Sequence, residues 1–90
     1  MNIDDFEFLP LHDDTYNANK QVGECVVSLS YGGIAYGSGF FNRGDGSIGG
    51  TFEVCVFKND MVIQMEPGKE VLGWQTIEDV NHIISCVDRI

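Results

Sequence analysis

Residues 51–57, T-F-E-V-C-V-F, alternate with a two-residue period that is typical of a β-strand using both of its faces. One face carries Phe52, Val54 and Val56, and the other carries Thr51, Glu53, Cys55 and Phe57. The next stretch, K-N-D-M-V-I at 58–63, sets Asn59 and Asp60 between this strand and a second apolar run. Because Asn and Asp tolerate positive φ, the stretch predicts a tight hairpin.

A second hairpin is predicted upstream. The stretch C-V-V-S-L-S-Y at 25–31 alternates like a half-buried strand. Residues 34–41 follow as another strand, weakened by Gly37 and Gly39, and the glycine turn before them would join the two strands.

The remaining β signals are short. Phe6 and Phe8 alternate with acids and predict a strand that stops at Pro10, whereas residues 12–21 predict a loop. Downstream, Pro67-Gly68 predicts a type II turn ahead of a short strand at 71–74.

The final segment, T-I-E-D-V-N-H-I-I-S-C-V-D-R-I at 76–90, changes to a helical period. Thr76 is a good N-cap with Asp79 three residues later. The apolar positions that recur with helical spacing are Ile77, Val80, Ile83, Ile84 and Val87. This pattern predicts one amphipathic helix.

Together these elements predict an α+β fold: an antiparallel sheet of four to five strands, built from hairpins, with one C-terminal amphipathic helix packed on one face. Ninety residues with 43% hydrophobic content can form one domain with a modest core. We expect this domain to span 1–90, with an acidic N-terminal segment and loop at 1–21, the sheet at 22–74 and the helix at 76–90.

The net charge of −9 is concentrated near the start, where five acids precede the first base, Lys20. Such a charge disfavours direct binding to nucleic acid. An acidic surface is consistent with docking a basic protein, although acidic surfaces commonly serve solubility. No apolar run is long enough to cross a membrane, and the acidic start M-N-I-D-D-F-E-F differs from a signal peptide, so we expect a cytoplasmic protein.

Gly44, Gly46 and Gly49 have the spacing G-x-G-x-x-G. The dinucleotide fingerprint needs these glycines to open a helix, whereas here they lead into the strand at 51–57. A hairpin loop therefore explains them better than a phosphate site does.

Three cysteines, Cys25, Cys55 and Cys86, lie in apolar stretches, and their odd number favours reduced thiols. On the helix Glu78, His82 and Cys86 follow at i, i+4 steps and form one ladder. Two or three such ligands do not close a tetrahedral shell, so no metal site or cofactor is predicted.

One helix is too narrow to cover a face of the predicted sheet. Four or five strands make a sheet about 20–24 Å wide, while a helix is only about 10 Å across. Three remedies exist: the sheet curls, the N-terminal segment with Phe6, Phe8, Leu9 and Leu11 folds over it, or a second subunit covers it. We expect a homodimer, because two-fold association covers two identical faces with one contact. The residues predicted for its interface are Val26, Cys55, Phe57 and Val62.

The alternative is a small-molecule pocket between the curled sheet and the helix. Its predicted lining is Tyr31, Tyr36, Phe52 and Trp74. Trp74, in L-G-W-Q-T before the helix, equally fits a packing role between strand and helix.

The chain resembles small acidic orphan proteins of bacterial mobile elements such as integron cassettes and phages. The resemblance lies in the hairpin sequence V-C-V-F-K-N-D-M-V-I and in the sequence G-W-Q-T-I-E-D-V at the start of the helix. The resemblance implies an accessory factor, some of which inhibit host defence. It transfers no site residue.

These observations rank three functions. The first is a non-catalytic interaction protein, a dimer that binds a protein partner through an exposed sheet face or its acidic segment. The second is the small-molecule binding module. The third is a thiol-dependent enzyme using Cys86 with His82, or Cys25 or Cys55; it ranks last because no acid, base and nucleophile cluster is evident.

Overall fold

The computed structural model describes residues 1–11, 14–33, 39–42 and 48–89. In these ranges, a short 3₁₀ turn at Ile3–Asp5 is followed by seven strands and one α-helix. The strands are β1 (Leu9–Pro10), β2 (Thr15–Val22), β3 (Cys25–Gly32), β4 (Gly39–Asn42), β5 (Ile48–Lys58), β6 (Met61–Ile63) and β7 (Leu72–Thr76), and the helix is α1 (Ile77–Val87).

All strand pairs are antiparallel, and the main path of the sheet runs β1-β2-β3-β5-β4. The eleven-residue strand β5 is the centre of the sheet, since β6 and β7 also pair with it. Helix α1 packs against β5 and β7. The predicted α+β class is thus confirmed. The strand number exceeds the prediction because the eight-residue strand β2 forms where a loop was predicted, and because β1, of two residues, is too short to show a period.

The register divides the sheet into two faces. Val27 pairs with Val56 and Leu29 with Val54, and all four side chains are almost completely buried. We call this side, which α1 covers, the core face. Side chains alternate along a strand, so the neighbours Val26 and Phe57, which also pair with each other, lie on the opposite side, the outer face.

The core lies between the core face, α1 and the N-terminal segment. Ile3 and Phe6 are buried in it, and the Ile3 backbone N–H donates to Asn81 Oδ1 on the helix at 2.8 Å. The other buried apolar residues are Ala18, Val22, Cys25, Val27, Leu29, Phe52, Val54, Val56, Leu72, Val80, Ile83, Ile84 and Val87. The N-terminal segment therefore extends the cover that the narrow helix provides.

The loop predicted at 12–21 is wrong, because residues 15–22 form strand β2 along the whole length of β3. Its sequence, T-Y-N-A-N-K-Q-V, has two asparagines, which are depleted in strands. Pairing with β3 overrides this weak propensity. Asn17 Nδ2 donates to Ser28 Oγ at 3.1 Å and to Ser30 Oγ at 2.8 Å, so the side chain itself contributes to the pairing.

The predicted upstream hairpin is also wrong. Strand β3 pairs with β2 on one side and with β5 on the other, so it does not pair with the strand expected at 34–41. Gly39–Asn42 is a strand, but its partner is β5. Residues 34–38 lie outside the described residues. The hairpin partner of β3 is the segment before it, joined through a turn in which Gly23 has φ 60°.

The strand predicted around Phe6 and Phe8 is replaced by the 3₁₀ turn Ile3–Asp5 and by β1. Asn2 caps that turn: its side chain accepts a hydrogen bond from the Asp4 backbone N–H at 2.8 Å. In return the Asn2 backbone N–H donates to Asp5 Oδ2 at 2.9 Å. This local capping competes with an extended chain, so Phe6 enters the core from a turn.

The predicted turns downstream are confirmed. Asn59 and Asp60 have φ values of 53° and 63° and join β5 to β6. Gly68 has φ 79°, and the Lys69 N–H donates to the Glu66 carbonyl oxygen at 2.9 Å, as a type II turn requires. The short strand after this turn is β7, shifted by a residue or two from the predicted 71–74.

The C-terminal helix is confirmed, although it is shorter than predicted and ends at Val87. Thr76 Oγ1 accepts from the Asp79 N–H at 3.1 Å, and the Thr76 N–H donates to Asp79 Oδ2 at 3.0 Å. This is the capping box that the spacing predicts. Within the described ranges, no helix has the length and apolar character needed to cross a membrane.

Candidate functional site

The structure brings together the four residues that the sequence predicted for an interface. On the outer face Val26 pairs with Phe57 across β3 and β5, and Phe57 pairs with Val62 across β5 and β6. Cys55 precedes Phe57 by two residues and shares its face. We call these four residues the outer-face patch.

The outer-face patch is only partly shielded from solvent. Val26 and Val62 are 38% and 39% exposed, and Phe57 and Cys55 are half-buried. In the same strands, the core-face neighbours Val27 and Val56 are at most 1% exposed. The patch is therefore an apolar line across three strands on the side away from the helix.

The Cys55 thiol contributes to the apolar surface of the patch. Burial raises its pKa above the ordinary thiol value, and the carboxylates of Glu53 and Glu70 raise it further. The thiol is therefore protonated at neutral pH and behaves as a small apolar group.

A polar ladder borders the patch on the outer face. Asn17 Nδ2 donates to the hydroxyls of Ser28 and Ser30 and to the Leu29 carbonyl oxygen, while Asn17 Oδ1 accepts from Asn19 Nδ2 at 2.9 Å. Because these groups are hydrogen-bonded to one another, they can lie next to a covered surface with little loss of hydrogen bonding.

Two exposed leucines extend the outer face beyond this ladder, and the sequence did not identify them as surface residues. Leu9 pairs with Asn17, which places it on the outer face, and it is 57% exposed. Leu11 is 59% exposed. Of the alternatives for covering the sheet, folding of the N-terminal segment over it therefore applies to Phe6 and Phe8 and not to the two leucines. Pro10 lies between the leucines and fixes φ there, and the chain pairs as an edge strand instead.

The predicted small-molecule lining is only half assembled. Tyr31 and Phe52 are neighbours with ring centroids 5.8 Å apart, and Phe8 lies 5.1 Å from Tyr31 and 5.9 Å from Phe52. Tyr16 stacks on Tyr31 at 5.2 Å. Burial raises the pKa of the Tyr31 hydroxyl, and Tyr16 adds to this shift. These rings fill one another's space, so they form packing at the edge of the core.

Trp74 does not join this aromatic cluster. It has φ 60° in the irregular part of β7, where the register with β5 shifts, and its side chain is 66% exposed. It lines a separate groove of 220 Å³ with the turn residues Glu66 and Lys69. The exposed indole also shows that Trp74 is not buried between strand and helix. Tyr36, the fourth predicted residue, lies outside the described residues.

The last glycine of the G-x-G-x-x-G pattern, Gly49, does not open a helix. Strand β5 begins at Ile48 and includes Gly49, and it pairs with β4. Gly44 and Gly46 lie outside the described residues. Because Gly49 lies within a paired strand, the described part of the pattern agrees with the hairpin interpretation rather than with a dinucleotide site.

On the helix, His82 and Cys86 contact each other, with 3.6 Å between His82 Nε2 and Cys86 Sγ. Both line a groove of 320 Å³ between α1, β7 and the segment before it. The rest of the lining is Met65, Glu66, Leu72, Gln75, Asp79 and Ile83.

In the part of the chain that the structure describes, no three His, Cys, Asp or Glu side chains are arranged to hold a metal ion.

In comparisons with protein-family models, curated proteins and solved structures, nothing matches this chain. The resemblance to orphan proteins of bacterial mobile elements and the cytoplasmic location therefore stay predictions. Inference about function rests on the surface and the side chains themselves.

Proposed function

We propose that this protein is a non-catalytic interaction protein that acts as a homodimer through its outer face. The observation that carries the proposal is the unbroken line Val26, Phe57 and Val62, formed by direct cross-strand pairing on the face that the helix leaves uncovered. Exposed apolar patches of this kind usually mark interaction sites.

A second copy of the chain fits this surface because the centre of the outer-face patch is uncharged. Each copy carries a net charge of −9, so two copies repel each other at long range. The outer-face patch contains no charged side chain, and the Cys55 thiol in it is neutral. Contact through this patch brings two identical apolar surfaces together, while the carboxylates of Glu53 and Glu70, which lie close to Cys55, stand at its border and oppose the contact through their charge.

A stable dimer interface needs a larger area than the four residues of the outer-face patch provide. A standard interface covers about 800 Å² on each partner. The polar ladder around Asn17 and the exposed Leu9 continue the same face and supply the surrounding area. We therefore place Val26, Phe57 and Val62 at the apolar centre of the interface and the asparagines and serines at its rim.

The test compares two valines of equal exposure. Val62 lies in the patch and Val71 outside it, and each is 39% exposed. Size-exclusion chromatography with light scattering should show a dimer for the wild-type protein and for Val71→Glu. Val62→Glu should be monomeric, with a dissociation constant raised at least tenfold, because a two-fold interface would bury two unpaired carboxylates.

A wild-type protein that stays monomeric up to several hundred micromolar would contradict the dimer. Equal weakening by Val62→Glu and Val71→Glu would show that the added charge, rather than the outer face, governs association. Circular dichroism of both variants establishes that the fold is retained.

A further inference from the structure

The second feature of interest lies on the opposite side of the molecule from the outer-face patch. Cys86 Sγ and His82 Nε2 are 3.6 Å apart, which is within reach of a hydrogen bond between a thiol and an imidazole. Their i, i+4 spacing on α1 sets them one turn apart on the same side of the helix. Both line the 320 Å³ groove beside Leu72 and Gln75 of β7, which leaves room for a small molecule at the sulfur.

The three cysteines occupy three different environments. Cys25 is 1% exposed in the core, and reagents in solution cannot reach it while the protein is folded. Cys55 is half-buried, and burial with the nearby Glu53 and Glu70 raises its pKa, which keeps it protonated. Cys86 is half-buried, lines an open groove and has an imidazole as neighbour.

We propose that Cys86 is the exchange-reactive thiol of this protein and that its groove takes small neutral or cationic disulfides. In the reaction His82 Nε2 accepts the Cys86 thiol proton, and the thiolate attacks one sulfur of the disulfide. The new bond joins Cys86 Sγ to that sulfur, while the original S–S bond breaks. The departing thiolate takes the proton back from His82. The products are a mixed disulfide on Cys86 and one free small thiol, with no net change of oxidation state.

The charge of the groove selects the disulfide. Asp79 and Glu66 contribute carboxylates to the lining; Lys69 Nζ lies 3.4 Å from Glu66 Oε2 and offsets part of its charge, but Lys69 is not among the described residues that line the groove. The Asp79 carboxylate also holds the helix cap, which fixes it at this end of the groove. An anionic disulfide such as oxidised glutathione is repelled by these groups and by the net charge of −9, whereas a diamine disulfide such as cystamine is attracted.

The experiment treats the reduced, folded protein with equal concentrations of cystamine, hydroxyethyl disulfide or oxidised glutathione near pH 7.4. Peptide mass spectrometry measures the rate of modification at each cysteine. We expect Cys86 to react at least tenfold faster than Cys55 with every probe. We also expect cystamine to react several-fold faster than oxidised glutathione at Cys86, with a smaller ratio in 0.5 M salt because salt screens the carboxylates.

Variants separate the role of His82 from simple exposure. His82→Gln keeps a polar side chain of similar size, and it should lower the cystamine rate at Cys86 at least threefold while the rate at Cys55 is unchanged. Cys86→Ser should abolish the rapid phase, and Cys55→Ser should preserve it.

Modification of Cys55 as fast as Cys86 would overturn the assignment of the reactive thiol. An unchanged Cys86 rate in His82→Gln would overturn the role of the imidazole, and equal rates for cystamine and oxidised glutathione would overturn the charge selection. The groove and the outer-face patch share no residue, but a dimer would shield Cys55, so the rates are compared in the Val62→Glu variant, in which the outer face is free.

Discussion

Gly32, at the end of β3, lies so close to the backbone carbonyl oxygen of Asp14 that no β-carbon fits between them. Gly32 has φ 88°, a conformation that residues with a side chain rarely adopt. It pairs with Thr15, the first residue of β2, so this close approach sets the point where the β2–β3 hairpin begins.

Gly32→Ala should therefore be strongly destabilising. The variant combines the left-handed backbone cost of about 1–2 kcal/mol with a clash against backbone atoms that cannot move without opening β2. Gly68→Ala is the matched control, since Gly68 has φ 79° but no atom within 4 Å of the added carbon. Urea denaturation should show a clearly larger loss of unfolding free energy for Gly32→Ala. Equal losses would contradict the steric explanation.

Leu29 tests the division of the sheet into two faces. It is fully buried on the core face between Ala18 of β2 and Val54 of β5. Leu29→Ala should lower the unfolding free energy by about 2–5 kcal/mol, because it removes buried methyl groups and leaves a cavity. Val26→Ala, on the outer face of the same strand, should cost less than about 1 kcal/mol when the protein is dilute and monomeric. Similar costs for the two variants would contradict the assignment of faces.

The capping box at the start of α1 gives a third prediction. Thr76→Ala removes the side-chain acceptor of the Asp79 N–H and should cost about 0.5–2 kcal/mol of unfolding free energy. Ser85→Ala also removes a hydroxyl, but at an exposed position within the helix, where alanine is the better helix former. Thermal denaturation should show a lower midpoint for Thr76→Ala and an unchanged or higher midpoint for Ser85→Ala.

We expect the unfolding free energy to fall at alkaline pH because of Cys55. Its pKa in the folded protein is raised by burial and then by Glu53 and Glu70, so the unfolded chain releases the thiol proton at a lower pH than the folded chain does. The corresponding contribution to stability is present at neutral pH and is lost as pH rises above about 8.5.

Urea denaturation of the reduced protein measures this effect between pH 7.5 and 9.5. Cys55→Ser should lose less unfolding free energy over this interval than the wild type, whatever its stability at pH 7.5. The same decrease in both proteins would show that the Cys55 thiol does not cause the alkaline loss.

The elements that the sequence predicts well are those with strong local signals. The type II turn at Gly68, the hairpin turn at Asn59 and Asp60, and the helix after Thr76 all depend on residues within four positions of one another. The alternation in β5 likewise assigns Phe57 and Val56 to opposite faces without knowledge of the partner strands.

Strand β2 shows where such reasoning fails. The asparagines and the lysine of β2 do not give the alternation of polar and apolar residues that distinguishes a strand from a loop. The strand forms because β3 pairs with it along its whole length and because Asn17 donates hydrogen bonds to acceptors on β3. Trp74 is a similar case, since its exposure follows from the irregular register between β5 and β7.

The sequence by itself determined the antiparallel character of the sheet around β5, the terminal helix with its cap, and the set of apolar residues on each face of the central strand. These follow from dihedral preferences and side-chain periodicity, which act over a few residues. Only the tertiary structure decided that β2 pairs with β3, that β3 and β5 are neighbours, and that Val26, Phe57 and Val62 form one line. Strand pairing joins residues far apart in the chain, and its free energy comes from packing and backbone hydrogen bonds that no short segment contains.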